Sequence, residues 1–258
     1  MTVASGYPGT PSTEILENLC TYNDVYTEWA PNEKVALEVG MGASFAGARV
    51  LVTMKHVGLN VAADPLFTAS YTGVRGGIVI ITADDPEMHS SQNEQDNRHY
   101  ACAAKLPMLE PSDPAEALAM LKKAFEISEE FDTPVLFRTT TRVAHVKGLV
   151  PTAKRKKGRV KIAIEKMPAK FVMLPGNARV RRRSIAERLA RLATYVETFA
   201  GNRIDKGSKK LGIVTGGISY LYVKEAFPKA SVLKIATTWP LPFNKIRDFA
   251  AQVDELII

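Results

Sequence analysis

The stretch NEKVALEVGMGASFAGARVLVTMKHVGLN, residues 32–60, decides the fold. Its first part predicts a helix over about residues 32–48, with Val35, Val39 and Phe45 among the apolar positions. Gly40, Gly42 and Gly47 lower helix propensity there, and in return let another backbone or a ligand come close. Residues 49–54 then run almost continuously apolar at strand length, the pattern of a parallel strand buried on both faces. Lys55, His56, Val57 and Gly58 follow directly, at the strand end where open α/β sheets hold ligands.

The flanks repeat the alternation. Upstream, Thr10 reads as an N-cap, Pro11 as the first helical residue, and Ile15, Leu16, Leu19 and Cys20 as the apolar stripe. Downstream, residues 77–83 and 134–138 are further buried strands. Between them a helix over 115–130 is capped by Ser112 or Asp113, with Pro114 after the cap. Residues 151–183, basic and interrupted by Pro151, Pro168 and Pro175, read as a surface linker. Ser184 and Glu187 then form a capping box for a helix that Gly201 stops. A second βα unit follows, with strands at 211–215, 231–236 and 255–258. Alternating strands and helices predict an α/β fold with a parallel sheet. The expected division is a first domain over 1–150, the linker over 151–183, and a smaller α/β domain over 184–258.

Composition narrows the classes. The 258 residues are 46% hydrophobic, ample for real cores, yet no run nears the roughly 18 apolar residues of a membrane span. The N-terminus lacks a secretory pattern, and the cysteines, Cys20 and Cys102, are too few for an iron–sulfur or structural zinc site. Reduced thiols and a cytoplasmic location are therefore expected. The final strand stops at its apolar centre and the start is abrupt, so the chain reads as a fragment. Net charge is +7, but residues 147–210 carry 19 Lys/Arg against 4 Asp/Glu, leaving −8 elsewhere. With few aromatics and no nucleic-acid motif, that segment reads as a solvated connector or a face for an acidic partner rather than a nucleic-acid site.

Several motifs carry possible chemistry, each with a plainer reading beside it. Tyr7-Pro8-Gly9-Thr10 is either a tight βα turn or an anion cradle at a helix start. Glu33 is either an acid favoured in a first helical turn or a proton-relay carboxylate. Lys55 and His56 are either solvated loop residues or site residues. Residues 83–98, with His89 among scattered acids, are either a polar surface excursion or an active-site loop; the spacing fits no metal. Nucleotide-binding glycine loops and cluster-binding cysteine series are absent.

Long stretches resemble one family. GYPGTPSTEI (6–15), residues 32–66, ITADDPEMHSSQNEQDNRHYA (81–101), MLEPSDPAEA (108–117), FRTTTRVAH (137–145) and LGIVTGGISYLYVKEA (211–226) are similar to 2-oxoacid:ferredoxin oxidoreductases, the indolepyruvate branch in particular. The resemblance covers most of 6–146 and 211–258. It implies a thiamine diphosphate pyrimidine-binding domain followed by a transketolase C-terminal-like domain. It implies Glu33 as the acid on ring nitrogen N1′, with Glu38 the lesser alternative, and Lys55, His56, Val57 and Gly58 at the cofactor. Tyr7, Thr10, Lys55, His56 and His89 are implied at the substrate. The implied reaction is oxidative decarboxylation of arylpyruvates to acyl-CoA, with ferredoxin as acceptor. A β subunit and an oligomer are implied as well. The Mg2+ and 4Fe–4S sites are expected in domains that this chain lacks, so the fragment alone is expected to be inactive. A subunit-interaction module and half of another thiamine enzyme remain the alternatives.

Overall fold

The computed structural model describes residues 1–153 and 162–258; the centre of the expected linker, 154–161, lies outside the described residues. The first part runs β1 (Val3–Gly6), α1 (Thr13–Leu19), β2 (Tyr26–Trp29), α2 (Glu33–Phe45), β3 (Val50–Lys55) and the short turn α3 (Gly58–Val61). It continues through α4 (Ala63–Thr72), β4 (Ile78–Asp84), α5 (Arg98–Ala104), β5 (Met108–Leu109), α6 (Pro114–Glu130), β6 (Val135–Thr140) and α7 (Thr141–His145). After α8 (Pro168–Phe171) and α9 (Pro175–Thr198) come β7 (Arg203–Asp205), β8 (Ser208–Gly216) and α10 (Ser219–Ala226). The chain then forms β9 (Ala230–Ile235), β10 (Thr237–Trp239), α11 (Phe243–Ala250) and β11 (Glu255–Ile257).

Strands β2, β1, β3, β4, β6 and β5 lie side by side and parallel, and β10 closes the β5 edge antiparallel. Period-2 side chains serve both faces. Val50, Val52, Ile78 and Ile80 pack with Leu37 of α2 and Leu66 of α4. Leu51, Val79 and Ile81 pack with Leu16 of α1 and Phe125 and Ile127 of α6. Each such side chain, fully buried, stabilises by roughly 1.5–3 kcal/mol, against about 0–1 for a surface ion pair, so two-sided apolar burial sets the sheet. Gly40 serves that packing: a Cβ there would lie 2.8 Å from Val52 Cγ2. A second sheet, in the order β11-β8-β9-β7, carries α10 and α11. The architecture is thus α/β with a mostly parallel main sheet, as expected.

Two expectations need correction. Helix α1 begins at Thr13 with Ser12 as N-cap, not at Thr10. The Gly9 N–H donates to Thr13 Oγ1 (2.8 Å) and the Ser12 hydroxyl to Gly9 O (2.8 Å), so those residues close a turn before the helix. Helix α9 begins at Pro175, well before Ser184, so residues 175–183 of the expected linker are helical. Pro175 suits a first helical position, and Arg181 and Arg188 tie the helix to the amino edge of the main sheet. Arg181 Nη2 donates to Asp132 Oδ2 (2.8 Å), Lys170 Nζ lies 2.8 Å from Asp132 Oδ1, and Arg188 Nη1 donates to Asp132 O (2.8 Å). Two of the segment's cations, Lys170 and Arg181, are thereby paired with Asp132 inside the chain. The second unit also reaches into the first, because β10 belongs to the first sheet.

That crossing is well anchored. Asn202 Oδ1 accepts from the Ala236 and Thr237 amides, and its Nδ2 donates to Val196 O and Thr237 Oγ1. Lys234 of β9, wholly buried, bonds Glu116 of α6, which Arg203 also reaches at 2.8 Å. Cys20 and Cys102 are free thiols. Among the described residues no helix is long and apolar enough to cross a membrane.

Candidate active site

In a parallel sheet every strand-to-helix turn emerges on one edge, and a crevice opens where neighbouring strands send their connections opposite ways. Here β1 connects outward to β2 while β3 connects onward to β4, so the turns after β1 and β3 flank that crevice. They touch: a Cβ on Gly9 would lie 2.9 Å from Lys55 Cβ. Helix α2, entering from β2, delivers Glu33 to the same edge. Asn32 caps it through Val35 N (3.0 Å), which fixes Glu33 in the first turn.

Glu33 lies against Gly58. A Cβ on Gly58 would fall 2.5 Å from Glu33 Oε1 and 2.8 Å from its Cδ. The side chain is only 9% exposed, and its carboxylate has no hydrogen-bond or ion-pair partner among the described residues. A carboxylate with no protein partner beside a crevice can accept a hydrogen bond from a ligand. This arrangement fits a ring nitrogen that donates a hydrogen bond, and the missing side chain at Gly58 is what lets the Glu33 carboxylate lie against the turn after β3. The residues present therefore fit the pyrimidine of thiamine diphosphate.

The other predicted residues spread around this point. Val57 is half-buried in the turn beside Gly58, and Lys55 Nζ donates to Ser90 O (2.7 Å). Tyr7 is exposed after β1. Thr10 is exposed and lines a small recess with Ala144 and His145. His89 lies 3.2 Å from Asp85 Oδ1 and lines a different recess, with Arg142 and Tyr222. His56 is wholly buried, with Nε2 3.2 Å from Asn93 O, and its amide donates to Ala83 O, extending the β3–β4 ladder.

Sequence reasoning missed what holds that loop. Asn97 Nδ2 and Gln95 Nε2 both donate to His56 O, and the Asn97 amide donates to Asp84 Oδ2 (3.1 Å). Asp85 takes hydrogen bonds from the Ser91 and Thr141 hydroxyls (2.6 and 2.7 Å) and from the Ser90 and His89 amides. Burial alone would raise its carboxyl; those donors outweigh burial and hold it far below the usual range. The signal was the Asp84-Asp85 pair directly after a buried strand, hidden within a loop that looked uniformly polar. No cluster of three His, Cys, Asp or Glu suited to a metal occurs among the described residues.

The fold and this edge define a cofactor-binding α/β domain, and comparison with known proteins identifies its kind. Residues 1–194 match the family model described as pyruvate flavodoxin/ferredoxin oxidoreductase, thiamine diphosphate-binding, and the chain belongs to that family. Among curated relatives, the protein named indolepyruvate oxidoreductase subunit IorA from Archaeoglobus fulgidus is 45% identical over 99% of this chain. The relatives of that name from Methanothermobacter marburgensis and Thermococcus kodakarensis are 44% and 42% identical over the same share. The chain spans only 42–43% of these relatives' length. A solved 2-oxoglutarate:ferredoxin oxidoreductase from Magnetococcus marinus shares the fold, with a TM-score of 0.77 at 17% identity, covering 99% of this chain and 54% of that one.

Proposed function

We propose that this chain supplies the pyrimidine-binding half of a thiamine diphosphate site in an enzyme that oxidatively decarboxylates arylpyruvates such as indole-3-pyruvate. One observation carries the reading: the unpaired Glu33 carboxylate against Gly58, at the crevice between β1 and β3. The names of relatives at 40–45% identity favour the aryl substrate. Thiamine diphosphate, when bound, supplies a nucleophilic thiazolium carbon and an electron sink. Glu33 accepts a hydrogen bond from N1′ of the ring and holds the proton there. Gly58, having no side chain, lets the Glu33 carboxylate lie against the turn after β3, and Val57 offers apolar contact. The turn after β1, with Tyr7, and Lys55 across from it border the place for the 2-oxoacid. His56 acts indirectly, through the backbone that leads to Gly58.

Acyl transfer to coenzyme A, ferredoxin as acceptor, Mg2+ and 4Fe–4S clusters, a β subunit, an oligomeric assembly and a cytoplasmic location belong to the same proposal. They concern the whole protein, not this chain alone. The test is Glu33→Gln in the full-length subunit with its partner. Indole-3-pyruvate-dependent acceptor reduction is expected to fall about 10²-fold or more. Near-normal turnover at saturating thiamine diphosphate would remove Glu33 from this role.

A further inference from the structure

The turn that sets Gly58 against Glu33 is held from outside itself. Before Gly58, His56 O receives three donors: the Leu59 amide (3.2 Å), Gln95 Nε2 (3.0 Å) and Asn97 Nδ2 (3.2 Å). A carbonyl oxygen has two lone pairs, and the Leu59 amide alone would satisfy it. The two side-chain amides therefore add restraint more than satisfaction. After Gly58, Asn60 Nδ2 donates to Gln95 Oε1 (2.9 Å), and the Tyr100 hydroxyl donates to Asn60 Oδ1 (2.7 Å). Gln95 thus grips the turn two residues before Gly58 and two residues after it.

The grip has a firm base. Asn97 is wholly buried. Its amide donates to Asp84 Oδ2 (3.1 Å), which Arg138 Nε also meets at 2.7 Å, and its Nδ2 reaches Thr82 Oγ1 at 2.5 Å. Gln95 Nε2 donates in turn to Asn97 Oδ1 (2.5 Å). Thr82 and Asp84 belong to β4, the strand beside β3. Side chains thus tie the turn after β3 to the neighbouring strand, in addition to the His56 amide bond to Ala83 O (3.0 Å). The Glu33 carboxylate packs on Gly58 and has no hydrogen-bond or ion-pair partner among the described residues, so contact with the turn sets its place. A displaced turn displaces the acid.

We propose that Gln95, seated on Asn97, is a positioning residue that fixes the turn at Gly58 and so aims the Glu33 carboxylate at a bound aminopyrimidine. The inference rests on the reading of Glu33 as the acid that meets that ring. The test is a double-mutant cycle on thiamine diphosphate affinity, measured by calorimetric titration of the full-length subunit with its partner. Glu33→Gln alone is expected to weaken binding about tenfold, the loss of one charge-assisted hydrogen bond. Gln95→Met keeps the length of the side chain and removes both ends of the grip, and it should weaken binding by about as much. A residue that acts through Glu33 has little left to lose once the acid is gone. In the Glu33→Gln background, Gln95→Met should therefore cost less than about threefold. Asn60→Ala, at an exposed side chain, loosens the far end of the grip; it should act in the same direction with the same non-additivity, and it decides if Gln95→Met does not fold. Affinity unchanged by Glu33→Gln would remove the cofactor reading, and this inference with it. Where Glu33→Gln does weaken binding, full affinity in Gln95→Met and Asn60→Ala, or losses that simply add to that of Glu33→Gln, would overturn the positioning role alone.

Discussion

Gly58 has no room for a methyl group. An alanine there would overlap Glu33, so the acid must move or the turn after β3 must shift. Gly58→Ala is expected to cost about 1–3 kcal/mol, measured by denaturant unfolding. In the full-length protein it should also weaken thiamine diphosphate binding at least tenfold, measured by titration. Unchanged affinity would separate Gly58 from the cofactor. At this scale the sequence was legible where a residue's neighbours are local. Asp113, one of the two expected caps, caps α6, and Pro114 follows it as expected. The burial of His56 was not legible, because it depends on Asn93, Gln95 and Asn97 folding back from a distant loop.

Among elements, the joint between α6 and β9 rests on Glu116 and Lys234. Burial raises the Glu116 carboxyl, but bonds from Lys234, Arg203 and the Ser112 amide win and lower it from 4.5 to about 2. Because the folded value is depressed, the stabilisation is complete above about 4.5 and is lost as pH falls towards 2. Acid unfolding should therefore steepen in that window, and Glu116→Gln should flatten it. At neutral pH that variant leaves Lys234 buried and unpaired, a cost of about 3–5 kcal/mol. Glu116→Gln with Lys234→Met should recover most of the loss; thermal unfolding of the single and double variants decides. The strands of the main sheet were readable from their apolar runs. The beginning of α9 was not, since Arg179 to Arg183 look the same in a solvated linker as on a helix whose arginines reach back to Asp132.

For the whole molecule, the decisive strand is β10. It covers the β5 edge, and an uncovered edge offers a row of unpaired amides and carbonyls to other chains. A chain ending at Thr198 is expected to self-associate where the 258-residue chain does not, as size-exclusion chromatography at matched concentration would show. A strand of three residues that leaves its own unit carries no periodicity to read, so the sequence suggested two bodies in a row.

A seam stitched by main-chain bonds also limits how the protein can move. The two sheets cannot swing open like a clamshell without tearing β10 from β5 and stripping Asn202 of its partners. Any opening between them must therefore first break main-chain hydrogen bonds.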